Sequence, residues 1–326
     1  EFPFFSFLLG DNHPHVLALP FVLLAVALAF NLLRGIRRRR NRLGSEELGA
    51  LLNPVTTAFG GDWTAFLLYA VALGALGFLN TWDFPIYVGL TALAYVAGRT
   101  ADGDATLSVI VPQAIMLGVA VIIAGVLLYL PFYVSFSSQA GGIVPYLLAP
   151  TRLPQYLVMF GPFIFITAVF LALRLLRRPN RGAIAGALSR WWAVIGAGPI
   201  LLLVAVLALA VLTPFGQTML QDLLARPEIQ QAVGTDGPAA ALWAVLGARL
   251  RDPWLFLLLS LLISAAGVGA FLAAHRSPSR DQDTAAAQFA SLLALCGLGL
   301  TYATEFVYLR DSFGVRMNTI FKFYYQ

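Results

Sequence analysis

Asp11-Asn12-His13-Pro14-His15, then VLALPFVLLAVALAFNLL (residues 16–33), then Arg34-Gly35-Ile36-Arg37-Arg38-Arg39-Arg40 is the stretch that decides the fold. No charge falls between Val16 and Leu33, and a bilayer core of about 30 Å needs roughly 20 apolar residues per helix. Proline lacks an N–H and has its φ fixed, so Pro14 suits the first position of a helix that runs on to Leu33. The arginines beyond it are what short cytoplasmic loops carry. Asp11, His13 and His15 gather at the other end, where orphan N–H groups and the positive end of the helix dipole favour carboxylates.

The rest of the chain repeats that grammar. Its 326 residues are 59% hydrophobic and 11% charged, a surface no soluble domain of this length tolerates, so the chain reads as an all-α polytopic membrane helix bundle. The single cysteine, Cys296, sits in an apolar run and reads as a small buried hydrophobe, which excludes a disulfide framework and a cysteine metal site. A net charge of +5 carried mostly by arginines next to apolar runs is no nucleic-acid signature. There is no initiator Met, and Gln326 falls inside an apolar segment; both predict a piece of a longer chain, organised over 1–326 as one transmembrane domain.

Eight spans are expected, at about Val16–Leu33, Trp63–Leu79, Pro85–Ala97, Leu107–Leu130, Tyr156–Leu176, Trp191–Leu212, Pro253–Ala274 and Ala285–Tyr302, with a ninth from Met317 onward. Pro85–Ala97 is short for a full crossing. If the Arg34–Arg42 loop is cytoplasmic, alternation places twice as many basic residues inside as outside. The outer face is then acid-rich and holds the clustered histidines. The expected localisation is the cell membrane, multi-pass, with the motif loops extracytoplasmic.

Those loops carry the candidate chemistry. Leu79-Asn80-Thr81-Trp82-Asp83-Phe84-Pro85 places an acid just ahead of a helix-starting proline, as does Arg251-Asp252-Pro253-Trp254. Each acid either caps a descending helix beside a headgroup-anchoring Trp or, at Asp83, does chemistry. The segment from Leu130 to Pro154 is apolar, aromatic and broken by Gly and Pro, as expected of a re-entrant or surface-lying stretch. Its one charge, Arg152, either snorkels to lipid headgroups or grips a phosphate. The polar loop Thr213–Asp252 reads as a solvated cap with a short amphipathic helix over Gln221–Gln231. Near the end, Glu305, Arg310, Asp311, Arg316, Asn318 and Lys322 enter or approach the membrane. Asn318 and Lys322 are four apart and share a helix face, and an ionisable group entering a span marks a functional site unless it snorkels to the interface.

Taken together, five motifs resemble the "YYY" family of multi-pass membrane proteins of Chloroflexi and archaea. They are EFPFFSF with GDNHPH (1–15), NTWDFP (80–85), LPFY with SQAGG (130–142), EFVYLRD (305–311) and RMNTIFKFY (316–324). That family looks distantly related to the GT-C glycosyltransferases, and its tyrosine triplet and acidic first outer loop would precede Glu1. The resemblance implies a GT-C-like bundle that takes sugar from a polyprenyl-phosphate donor at the outer membrane face. It implies Asp11, Asp83, Glu305 and Asp311 as carboxylates for acceptor activation or positioning. Arg152, Arg310, Arg316, Asn318 and Lys322 would bind substrate. Asp11, His13 and His15 would hold a divalent cation, Mn²⁺, Mg²⁺ or Zn²⁺, near the leaving phosphate. The histidine cluster and the Glu305–Lys322 tail are expected to border one cavity. Two other functions fit the residues: a transporter or flippase for a lipid-linked or anionic substrate, and a non-catalytic scaffold. Transporters often carry inverted repeats and midplane charge, and neither is evident here.

Overall fold

A computed structural model describes residues 3–10, 13–39, 53–100, 107–137, 142–146, 150–177, 180–225, 230, 238–272, 281–309 and 316–326. The chain divides into two compact units. The first comprises Glu1–Gln139, Gly269–Cys296 and Tyr324–Gln326; the second comprises Ala140–Val268 and Gly297–Phe323.

In chain order the first stretch gives α1 (Pro3–Leu9), α2 (Pro14–Arg39), α3 (Pro54–Phe59), α4 (Trp63–Leu79), α5 (Asp83–Thr100), α6 (Leu107–Leu128) and α7 (Leu130–Ser135). Then come β1 (Ile143–Pro145), α8 (Leu153–Leu176), α9 (Arg181–Leu212), α10 (Pro214–Leu224), α11 (Pro238–Arg251), α12 (Trp254–Phe271), α13 (Asp281–Ala303), β2 (Val307–Leu309) and α14 (Met317–Tyr325). Every expected span coincides with a helix. Among the described residues, six helices are long and apolar enough to cross a membrane: α2, α6, α8, α9, α12 and α13. The protein is an all-α multi-pass membrane bundle. α4 is apolar but shorter, and α5 lengthens the doubtful Pro85–Ala97 stretch at both ends, to Asp83–Thr100.

Local chemistry sets the helix ends. Val16 and Leu17 donate their N–H groups to the His13 carbonyl at 2.9 and 3.1 Å, which starts α2 at Pro14 as its ring dictates. Asn53 caps α3 through Oδ1, and Gly60, at φ 67°, closes it in the left-handed conformation that glycine adopts without strain. Asp62 Oδ1 accepts from the Ala65 N–H at 3.0 Å and caps α4. In the polar loop a helix runs over Pro214–Leu224 and meets the expected Gln221–Gln231 helix only at its start; residues 226–229 and 231 of that expectation lie outside the described residues. Thr213 caps α10, its hydroxyl accepting from the Gly216 N–H at 3.0 Å.

Inside the first unit, packing follows membrane rules: without a hydrophobic drive between helices, small residues let backbones approach. A Cβ on Gly74 of α4 would meet the Gly125 Cα of α6 at 3.0 Å, so these two glycines are where the helices come closest. Leu32, Leu33, Leu73, Leu76, Leu90, Tyr95, Ile110 and Leu117 fill the core around them. Polar staples tie the helices together. Gln288 accepts from Arg37 Nη1 at 2.9 Å and donates to the carbonyls of Ala97 and Ala270 at 3.0 and 2.7 Å, so one amide joins α2, α5, α12 and α13. Tyr69 donates to the Leu28 carbonyl at 2.6 Å, and Tyr95 to Gln113 at 2.7 Å.

In the second unit, Trp192 Nε1 donates to Ser260 at 3.1 Å and Tyr302 to the Ile195 carbonyl at 2.9 Å, which docks α9 against α12 and α13. The unit also contains a feature the sequence did not announce, an antiparallel ribbon pairing Ile143 with Leu309, Val144 with Tyr308 and Pro145 with Val307. Three-residue strands leave no readable alternation, so this stretch reads as an irregular loop until both halves are seen together. The Tyr146 N–H extends the pairing to the Phe306 carbonyl at 2.7 Å.

Candidate functional site

The ribbon positions Glu305, which sits in the turn between α13 and β2. Its carboxylate is 7% exposed as a residue and is fully engaged on one oxygen. Oε1 accepts from the Thr151 hydroxyl at 2.6 Å and from Arg316 Nη1 at 2.8 Å, while Oε2 accepts from the Thr151 N–H at 3.0 Å. Arg316 closes the ring by donating Nη2 to Thr151 Oγ1 at 2.7 Å and Nη1 to the Thr304 carbonyl at 3.2 Å. Its guanidinium lies 3.8 Å from the centroid of Tyr146, a stacked geometry that a lysine cannot reproduce. A charge-assisted network of this kind, shielded from water, fixes the carboxylate in one orientation.

A second arginine works on the backbone. Arg249, near the end of α11, donates Nη2 to the carbonyls of Tyr146 and Glu305 at 3.1 and 2.6 Å and rests 5.2 Å from the Phe306 ring centroid. Burial pulls its pKa below the ordinary arginine value, and the Glu305 carboxylate opposes that shift. One guanidinium thereby clamps the ends of both strands next to the acid. Arg249 falls in the stretch Thr213–Asp252 that the sequence presents as a solvated cap; the signal for it was a basic last turn on α11.

Beside this network opens a cleft of about 70 Å³. Thr151, Gln155, Thr301, Thr304 and Glu305 line its polar end, and Tyr156, Met159, Phe160, Ile320 and Phe323 its apolar wall. Tyr156 donates to Thr301 Oγ1 at 2.9 Å, which joins α8 to α13. Gln155 accepts from the Arg152 N–H at 3.4 Å, while the Arg152 side chain is exposed. Asn318 and Lys322 are half-buried on α14, whose Ile320 and Phe323 are the residues that line the cleft. Arg310 and Asp311 lie outside the described residues.

The first unit holds its own polar cluster. The rings of His13 and His15 stack 5.1 Å apart at 17°. Asn80 donates Nδ2 to His15 Nδ1 at 2.8 Å, and its side chain also hydrogen-bonds the Asp83 carboxylate. Gln326 donates Nε2 to Asp83 Oδ1 at 2.7 Å and accepts a short hydrogen bond from the Tyr87 hydroxyl. Asp83 is buried, held by two amides rather than standing as an exposed cap.

This cluster was the expected metal centre. The Asn80 amide thus engages His15 Nδ1, one of the two ring nitrogens through which that histidine would hold an ion. Among the described residues no three His, Cys, Asp or Glu side chains converge as a ligand set, and Asp11 lies outside them. His13, His15 and Asp83 belong to the first unit; Thr151, Glu305 and Arg316 belong to the second.

No match to this chain was found among curated proteins or among solved structures. Its apolar, membrane-length helices agree with one family description, Uncharacterized membrane protein (DUF2298), whose model matches residues 1–326, and the chain belongs to that family.

Proposed function

We propose that the protein is an integral membrane glycosyltransferase that takes sugar from a polyprenyl-phosphate donor at the extracytoplasmic face, on a GT-C-like bundle. The observation that carries this reading is the cleft in which an oriented carboxylate, Glu305, meets an apolar wall at the end of membrane-length helices. An acceptor hydroxyl needs a carboxylate to position it and to draw on its proton as it attacks. Among the described residues Glu305 Oε2 has one donor, the Thr151 N–H, which leaves capacity for a second. Arg316 holds the carboxylate still, which suits orienting an acceptor. The cationic residues Arg152, Arg310 and Lys322 are assigned to the donor phosphate at headgroup depth, where guanidinium and ammonium groups carry anionic lipid. Asp11, Asp83 and Asp311 remain candidate carboxylates on the same outer face.

The test is reconstitution of the purified protein in liposomes with a polyprenyl-phosphate-linked radiolabelled sugar and a lipid extract as acceptor source. Label appearing in a new, covalently extended product, and lost in Glu305→Gln, supports transfer. Label that crosses the bilayer without changing its chemical form supports the transporter instead.

A further inference from the structure

Resting on the transferase reading, we infer that the cleft beside Glu305 takes the acceptor rather than the donor, and that the acceptor is an uncharged hydroxyl-bearing amphiphile, a sugar or polyol head on an apolar chain. The lining decides its charge. Among the described residues no Lys or Arg borders the cleft, and Glu305 is the acid that does. The place a phosphate would take at the start of α8 is occupied, since the Thr151 N–H binds the Glu305 carboxylate and the Arg152 N–H binds Gln155.

A cationic head is disfavoured from the other side. Arg316 pairs with the carboxylate at 2.8 Å and Arg249 lies against its carbonyl at 2.6 Å, so the acid is already over-compensated by two guanidiniums. What the cleft offers a ligand is hydrogen-bond capacity. The hydroxyls of Thr301 and Thr304 already donate to backbone carbonyls, at 3.0 and 2.7 Å, and face a ligand as acceptors together with Glu305 Oε2. The Gln155 amide supplies the complementary donors. Hydroxyl groups, which donate and accept, match that set; Met159, Phe160, Ile320 and Phe323 match the chain.

The test compares three radiolabelled probes of one chain length, decyl glucoside, decyl phosphate and decylamine, on the full chain in nanodiscs, scored as binding above that of empty nanodiscs. The glucoside should bind saturably and at least tenfold tighter than either charged probe. Ile320→Trp, which fills the apolar wall, should weaken it at least tenfold, with the unfolding temperature as the folding control. Gln155→Leu, a change at an exposed position, should weaken glucoside binding severalfold without changing background partitioning. Tighter binding of the phosphate or the amine, or glucoside binding indifferent to both substitutions, overturns the assignment. Saturable glucoside binding without sugar transfer retains this site and removes the transferase reading; transfer with an empty cleft does the reverse.

Discussion

Arg249 grips Glu305 by its backbone, Nη2 to the carbonyl oxygen at 2.6 Å, and leaves the carboxylate to Arg316 and Thr151. The same nitrogen reaches the Tyr146 carbonyl, so the site acid is positioned through the ribbon that precedes and follows it. Arg249→Gln should therefore loosen the ribbon, at a cost of about 1.5–3 kcal/mol for hydrogen bonds to a charged group. Proteolytic susceptibility at residues 142–146, measured in nanodiscs, should rise, while cleavage in the first unit should not change.

Gln288 is the staple of the first unit, with three partners on three other helices. Gln288→Leu removes them and leaves the buried carbonyls of Ala97 and Ala270 without that donor. Expected is a loss of about 1–3 kcal/mol per stranded group, read as a lower unfolding temperature; an unchanged temperature would mean that the staple is not formed.

The glycines separate close approach from mere helix content. At Gly74 and Gly125 an added Cβ meets neighbouring atoms at 2.9–3.0 Å, with Gly125 Cα among those facing Gly74, whereas at Gly89 it meets nothing within 4 Å. Gly74→Ala should destabilise the bundle; Gly89→Ala should be neutral or gain up to about 1 kcal/mol from helix propensity. Equal effects at the two sites would contradict the packing of α4 on α6.

How much of this was legible in the sequence follows from physics. Six of the expected spans were, because hydrocarbon tolerates little but long apolar helices with their backbone groups satisfied internally. Glu305 was, because an acid at the end of an apolar run is costly enough to demand a reason. The ribbon was not, because three-residue strands far apart in sequence carry no periodicity. Arg249 and Thr151 were not, because their importance lies in which carbonyl or carboxylate they reach. The face of α14 was also hidden: Asn318 and Lys322 drew attention by polarity, yet Ile320 and Phe323 border the cleft.

Orientation rests on the arginine bias and is tested by labelling. In a Cys296→Ala background, Ser137→Cys should react with a membrane-impermeant thiol reagent in intact cells. Reaction only after lysis would reverse the topology and, with it, the side on which Glu305 works.

The central claim, that the Glu305 cleft seats the acceptor of a sugar transfer, is tested most directly by steady-state kinetics of Glu305→Gln in liposomes with donor and acceptor varied in turn. The account predicts at least a tenfold loss in kcat/KM for the acceptor with the donor KM unchanged. Wild-type transfer rates in a folded Glu305→Gln protein, or a loss confined to the donor KM, would contradict it.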